Sequence, residues 1–116
     1  MNLNRDLLRT NVARDQASMR ISLDGRLTID SAPALRIQIL SILRQEQLAN
    51  LIIDLTDVPH MDCAGIATLL EMLKISRSCQ TRLQLTGLHD RPRYLLEVTG
   101  LLSLFESCAP ATSGSA

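Results

Sequence analysis

The sequence contains no tryptophan, one tyrosine (Tyr94) and one phenylalanine (Phe105). Any core must therefore be packed from Leu, Ile and Val, and single-stranded nucleic acid finds no aromatic platform for stacking. An excess of charge is missing as well, because twelve basic and twelve acidic residues cancel to a formal net charge of zero. Nucleic-acid binders carry a basic surplus that neutralises phosphates, so that class of partner is not expected. No apolar run is long enough to span a bilayer. The opening residues, Met1-Asn2-Leu3-Asn4-Arg5-Asp6-Leu7-Leu8-Arg9, place charges where a secretion signal needs its apolar centre. Direct membrane insertion is not expected. Three cysteines (Cys63, Cys79, Cys108) stand at unrelated spacings, with neither a C-x-x-C pair nor a Cys/His array. Such a set suits reduced thiols in the cytoplasm and offers no structural zinc site.

What is present is enough aliphatic material for one domain: 116 residues, 46% of them hydrophobic. A chain of this size buries roughly two-thirds of the surface that its unfolded form exposes. Residues 19–27 alternate Met19, Ile21 and Leu23 against Arg20, Ser22 and Asp24, the period of a half-buried strand, and Asp24-Gly25 adds a turn or bend signal. Residues 8–12 could pair with this strand as a hairpin, with 13–17 as the turn. Asp30 or Ser31 reads as a helix N-cap, with Pro33 in the first turn. Leu35, Ile39, Ile42 and Leu43 then form an apolar stripe that Ile37 and Leu40 widen outward, and the helix should end within 44–46.

The run Leu51-Ile52-Ile53-Asp54-Leu55 reads as a central or parallel strand buried on both faces. A loop is expected over 56–61, and Asp62 opens a helix striped by Ile66, Leu69, Leu70 and Leu73. Residues 81–85 alternate again, with Leu83 and Leu85 inward, until Gly87. A third helix follows Asp90-Arg91-Pro92 and carries Tyr94, Leu95 and Val98. Residues 101–105 form a last apolar piece, strand or helical turn. Domain bounds of 1–108 are expected, with 109–116 as a flexible tail. Strands alternating with helices imply an α/β domain with a mixed sheet, and the start of the Asp62 helix should lie at the carboxyl rim, where partners gather.

The segment 51–70, with Asp54-Leu55-Thr56 closing a strand and Asp62-Cys63-Ala64-Gly65-Ile66 opening a helix, resembles the signature of STAS domains, above all the bacterial anti-sigma-factor antagonists. Gly25-Arg26-Leu27, Ser31-Ala32-Pro33-Ala34-Leu35 and Val98-Thr99-Gly100-Leu101 resemble its flanks in the same order, and the likeness covers about residues 8–106. It implies a single STAS-like domain with a four- to five-stranded mixed sheet and helices mainly on one side. It also implies a non-enzymatic, cytoplasmic module without cofactor that binds an anti-sigma factor or related regulatory kinase. The implied contact residues are Asp54, His60, Met61, Asp62, Cys63, Ala64, Gly65, Ile66 and Thr68.

Two departures stand out. Cys63 occupies the position of the serine or threonine that the antagonists' partner kinase phosphorylates, and Thr28 stands where many carry an acidic residue. A phosphoryl group would add about −1.5 to −2 charge, beside Asp54 and Asp62 in this segment; the thiol removes that switch. Asp62-Cys63-Ala64-Gly65 also resembles the Asp-Thr-Ala-Gly of the STAS subunit of Mla-type phospholipid ABC transporters, which docks on the ATPase.

Each of these residues has a plainer reading. Asp62 can serve as an N-cap, alone or while contacting a partner. Cys63 can be a small packing residue instead of a reactive thiol. Gly65 can permit close helix–strand approach or spare a partner a clash, and no phosphate-binding glycine loop accompanies it. His60, Asp62 and Cys63 crowd one short loop without a second group of metal ligands. Cys63, His89 and Asp54 make a catalytic triad only on paper, and a small-ligand sensor stays open as an intermediate class. As a binding rim, residues 61–68 should be exposed and partly apolar. Asp62→Lys or a large residue at Gly65 should then abolish binding with the fold intact.

Overall fold

The alternation of residues 18–27 produces a strand that anchors everything after it. The computed structural model describes residues 8–45 and 47–103. Its elements are β1 (Arg9–Asp15), β2 (Ser18–Leu27), α1 (Ala32–Gln45), β3 (Asn50–Met61), α2 (Cys63–Ser78), β4 (Arg82–Thr86) and α3 (Asp90–Val98). The strands form one four-stranded mixed sheet in the order β1-β2-β3-β4. β1 runs antiparallel to β2. The pairs β2/β3 and β3/β4 are parallel, and α1 and α2 supply the crossovers that parallel pairing requires.

Register decides which face is buried. Met19, Leu51 and Leu83 lie side by side across the sheet, and Ile21, Ile53 and Leu85 form the next row. These rows join Leu35, Ile39 and Leu43 of α1, Leu69, Met72 and Leu73 of α2 and Leu96 of α3 in one aliphatic core. The rows of opposite parity, Arg20-Ile52-Gln84 and Ser22-Asp54-Thr86, are polar apart from Ile52 and none of their members is buried. The expectation that 51–55 is buried on both faces is thus corrected: β3 is central and parallel, but only Leu51, Ile53 and Leu55 are enclosed.

The stretch 56–61, expected as a loop, continues β3. Ser22 pairs with Asp54, Asp24 with Asp57 and Arg26 with His60, so three residues of β3 twice span two of β2. Each extra residue is a bulge that re-aims the side chains. The inward period changes from two (Leu51, Ile53, Leu55) to three (Leu55, Val58, Met61). Periodicity alone misses such a strand. β4 pairs with β3 only as far as Asp54, so Pro59, which lacks an N–H, lies beyond that ladder. Asp24-Gly25 does not turn the chain and sits in this irregular pairing.

Other differences are local. The hairpin turn is only Gln16-Ala17, with Gln16 at φ 57°. Ser31 precedes α1, but its hydroxyl accepts from the Thr28 N–H at 3.0 Å and donates to the Arg26 carbonyl at 2.6 Å, bracing the incoming loop. On α3 the buried residues are Pro92 and Leu96, one turn apart, whereas Tyr94 and Val98 are exposed. Arg36 grips Glu71 through two nitrogens at 2.8 and 2.7 Å, joining α1 to α2 on the outside. Leu101 and Leu102 pack against the core. Phe105, Cys108, residues 109–116 and the boundary expected at 108 lie outside the described residues.

Burial predicts a clean contrast. Ile53→Ala opens a cavity at a fully buried site and should cost about 2–5 kcal/mol. Ile37, 65% exposed on α1, should tolerate alanine within about 0.5 kcal/mol. Urea denaturation of the two variants measures both.

Candidate functional site

β2 and β3 finish side by side, with Leu27 paired to Met61. From there one loop leads into α1, and Asp62 alone separates β3 from α2. Asp62 is extended (φ −109°, ψ −173°) and its backbone N–H donates to the Leu27 carbonyl at 3.2 Å. One carboxylate oxygen accepts from the Gly65 N–H at 3.1 Å, the N-cap expected of it. The other accepts from the Ile29 N–H at 3.1 Å, which ties the loop before α1 to the start of α2. Partial burial opposes ionisation, but the N–H groups of Gly65, Ile29 and Ala64, with His60 nearby, outweigh it and hold the Asp62 carboxyl below its ordinary pKa.

Gly65 makes the junction possible. A Cβ there would lie 2.6 Å from the Leu27 carbonyl oxygen and 2.8 Å from Met61 Cγ. Close helix–strand approach is therefore its role in the fold. A large residue at this position cannot leave the fold intact, which corrects the substitution test expected from sequence. Asp62→Lys is compromised in the same way, since it removes a bond on either side.

The rim around this junction is narrower than residues 61–68. Met61, Gly65, Ile66 and Thr68 are buried and form its floor; Asp62 and Ala64 are half-buried; His60 and Cys63 face solvent. Cys63 is the first residue of α2, and its exposure removes the packing role. Ile29, missed in the sequence, joins this rim through its bond to Asp62, and its side chain is 68% exposed. A lone apolar residue between Thr28 and Asp30 carries no periodic signal by which to find it.

Asp54 lies elsewhere. Eight positions before Asp62 on β3, on the order of 20 Å away along the strand, it accepts from the Thr56 hydroxyl at 2.6 Å, the Thr56 N–H at 3.0 Å and Arg20 at 3.0 Å. The Thr56 hydroxyl, then its N–H, hold the Asp54 carboxyl below its ordinary pKa; burial opposes them, and Arg20 adds a lesser push in the same direction. His89 meets the same segment from the other side, with Nε2 2.8 Å from the Thr56 carbonyl and Nδ1 2.8 Å from the Asp90 carboxylate. Both partners are acceptors, so the doubly protonated ring suits the site; Asp90 first and then Thr56 raise its pKa. Asp54 and His89 thus converge on Thr56, not on Cys63, and the triad drawn on paper is not assembled. Among the described residues, no group of three or more His, Cys, Asp or Glu side chains is placed to hold a metal ion. No helix among them is long and apolar enough to cross a membrane.

A family model described as "Mlab, STAS domain" matches residues 10–106. The chain belongs to the STAS domain family. Among its curated relatives, an anti-sigma-B factor antagonist of Bacillus subtilis is 29% identical over 114 residues, 98% of each chain. An anti-sigma-B factor antagonist of Listeria monocytogenes is 33% identical over 93 residues, 80% of this chain and 81% of that one. The fold also matches the crystal structure of an anti-sigma factor antagonist from Mycobacterium paratuberculosis. That match has a TM-score of 0.77 at 22% identity and covers 86% of this chain and 84% of the other.

Three consequences of this STAS geometry are measurable. Asp62→Ala should lower unfolding free energy by about 1–2 kcal/mol in urea, the loss of a capping side chain. Gly65→Ala would gain about 1 kcal/mol in an open helix; against the Leu27 carbonyl it should instead lose about 1–3 kcal/mol. The raised His89 pKa makes its contribution fully present below the ordinary value of 6.5 and lost as pH climbs through the raised value. Between pH 6 and 8 the wild-type melting temperature should therefore fall relative to that of His89→Gln.

Proposed function

We propose that this STAS domain is a non-catalytic, cytoplasmic protein-binding module that engages an anti-sigma factor or a related regulatory kinase. The contact surface is the rim made by His60, Asp62, Cys63 and Ala64, extended by Ile29 and supported from beneath by Met61, Gly65, Ile66 and Thr68. Asp54 contributes by bracing β3 through Thr56. The observation that carries this reading is the exposed Cys63 at the first position of α2, where the antagonists present their phosphorylated serine or threonine. The similarity to anti-sigma-B factor antagonists along nearly the whole chain supports it. A thiol in that place keeps the rim's charge constant, so binding is constitutive with respect to this position.

Two observations argue against catalysis. Asp54 and His89, whose pKa values are shifted, converge on the Thr56 segment, whereas Asp62 stands at the start of α2. A cavity of about 460 Å³ lies at the opposite end of β3 and α2, lined by Asn50, Leu73, Arg77, Thr81, Arg82 and Leu83 among others. It contains none of the rim residues.

A second reading has specific support. The matching family model carries the description Mlab, and Ala64 fits the Asp-Thr-Ala-Gly pattern of the Mla-type subunit. Under it the same rim docks on the ATPase of an ABC transporter.

Pull-down from extract of the native host separates the readings, with tagged wild type beside Cys63→Arg and Ile29→Asp, two changes at exposed side chains. A kinase-like anti-sigma factor held by wild type and lost by both variants is the expected result. Recovery of a transporter ATPase with the same losses would favour the second reading. If both variants keep every partner of wild type, the rim is not the contact surface. With the recovered kinase and ATP, Cys63→Ser should gain one phosphate by mass spectrometry where wild type gains none.

A further inference from the structure

β1 is an edge strand. Its seven residues pair with β2 on one side, all seven are exposed, and no described strand pairs with its other side. The two-residue turn Gln16-Ala17 is closed by Asp15 and Ser18 exchanging N–H and C=O. Hydrogen-bonded pairs alternate along an antiparallel ladder, so Asp15, Ala13, Asn11 and Arg9 direct their backbone groups at β2. Thr10, Val12 and Arg14 direct theirs outward.

We propose that β1 is the interface of a symmetric dimer, in which a second copy of this chain pairs antiparallel across a two-fold axis at Val12. In that register Val12 faces Val12 of the second copy, Thr10 faces Arg14, and Arg9 faces Asp15. The outward N–H and C=O groups of these three exposed residues then face one another across the axis, in register for six main-chain hydrogen bonds. The charges match as well. Each Arg9 meets an Asp15 of the other chain on the open face of the sheet, once on either side of the axis. On the core-side face Val12, 42% exposed in one copy, meets its own equivalent and loses water. The opposite edge does not share this property. A two-fold axis at Gln84 of β4 sets Arg82 against Thr86, with no complementary charge. The product is a continuous eight-stranded sheet with both β1 edges closed, which also removes an exposed strand as a template for aggregation.

Sedimentation velocity on the full chain, up to roughly 1 mM protein, the weak limit of specific association, reads the state directly. Wild type should sediment as a dimer. Val12→Pro should be a monomer with an unchanged circular dichroism spectrum, since the N–H it removes points away from β2. Asp15→Arg and Arg9→Asp should each weaken the dimer at least tenfold, because each homodimer then sets like charges opposite. Mixed in equal amounts, these two variants should recover a dimer, because the mixed pair is complementary at both positions. The mixture is decisive even if Val12→Pro does not fold. A monomeric wild type at the highest concentration overturns the proposal. So does a wild-type dimer that tolerates Asp15→Arg, or a charge-variant mixture that stays monomeric.

Discussion

One carboxylate holds the carboxyl end of the sheet together. Asp62 caps α2 through Gly65 and, with its second oxygen, fixes Ile29, 33 positions earlier in the chain. Its own N–H meets the Leu27 carbonyl, the same atom that a side chain at position 65 would strike. Cap and glycine are therefore one device. The glycine lets α2 come close enough for the carboxylate to bridge, and the bridge keeps two parallel strands and two helix starts in a single arrangement. Of the exposed positions at the rim, Ile29 and Cys63 take their geometry from that bridge, and His60 takes its own from pairing with Arg26.

Much of this was legible in the residues because it rests on local rules. The alternation of Met19, Ile21 and Leu23, the stripe of Ile66, Leu69 and Leu73, and the capping position of Asp62 each need only a few neighbours. What the sequence hid depends on pairing across the sheet. The two bulges of β3 replace a period of two by a period of three, so Val58 and Met61 read as loop residues until β2 is set beside them. The half-open environment of Ile52 follows from all helices sharing the other face. The inward side of α3 belongs to Pro92 and Leu96 because orientation on so short a helix is set by what lies beneath it. The candidate site divided for the same reason: Asp54 lies within β3 and Asp62 just past its end, so the length of β3 sets them at different stations.

Cys63 changes the electrostatics of the rim more than its shape. Asp62 beside it has both oxygens committed to backbone N–H groups, so the anionic charge there is already matched to the helix start. A dianionic group on the next residue would compete for those same donors. The thiol leaves the cap undisturbed.

The spatial order of the strands, β1-β2-β3-β4, is also the order in which a ribosome makes them. Each strand leaving the exit tunnel finds its neighbour already formed, and none has to wedge itself between two strands that have met. The hairpin is the first pairing open to the emerging chain, and β3 then adds to a finished edge. Growth is always at the newest strand. The pairing steps that slow other parallel sheets, in which late strands must displace or bypass early ones, do not arise on this path.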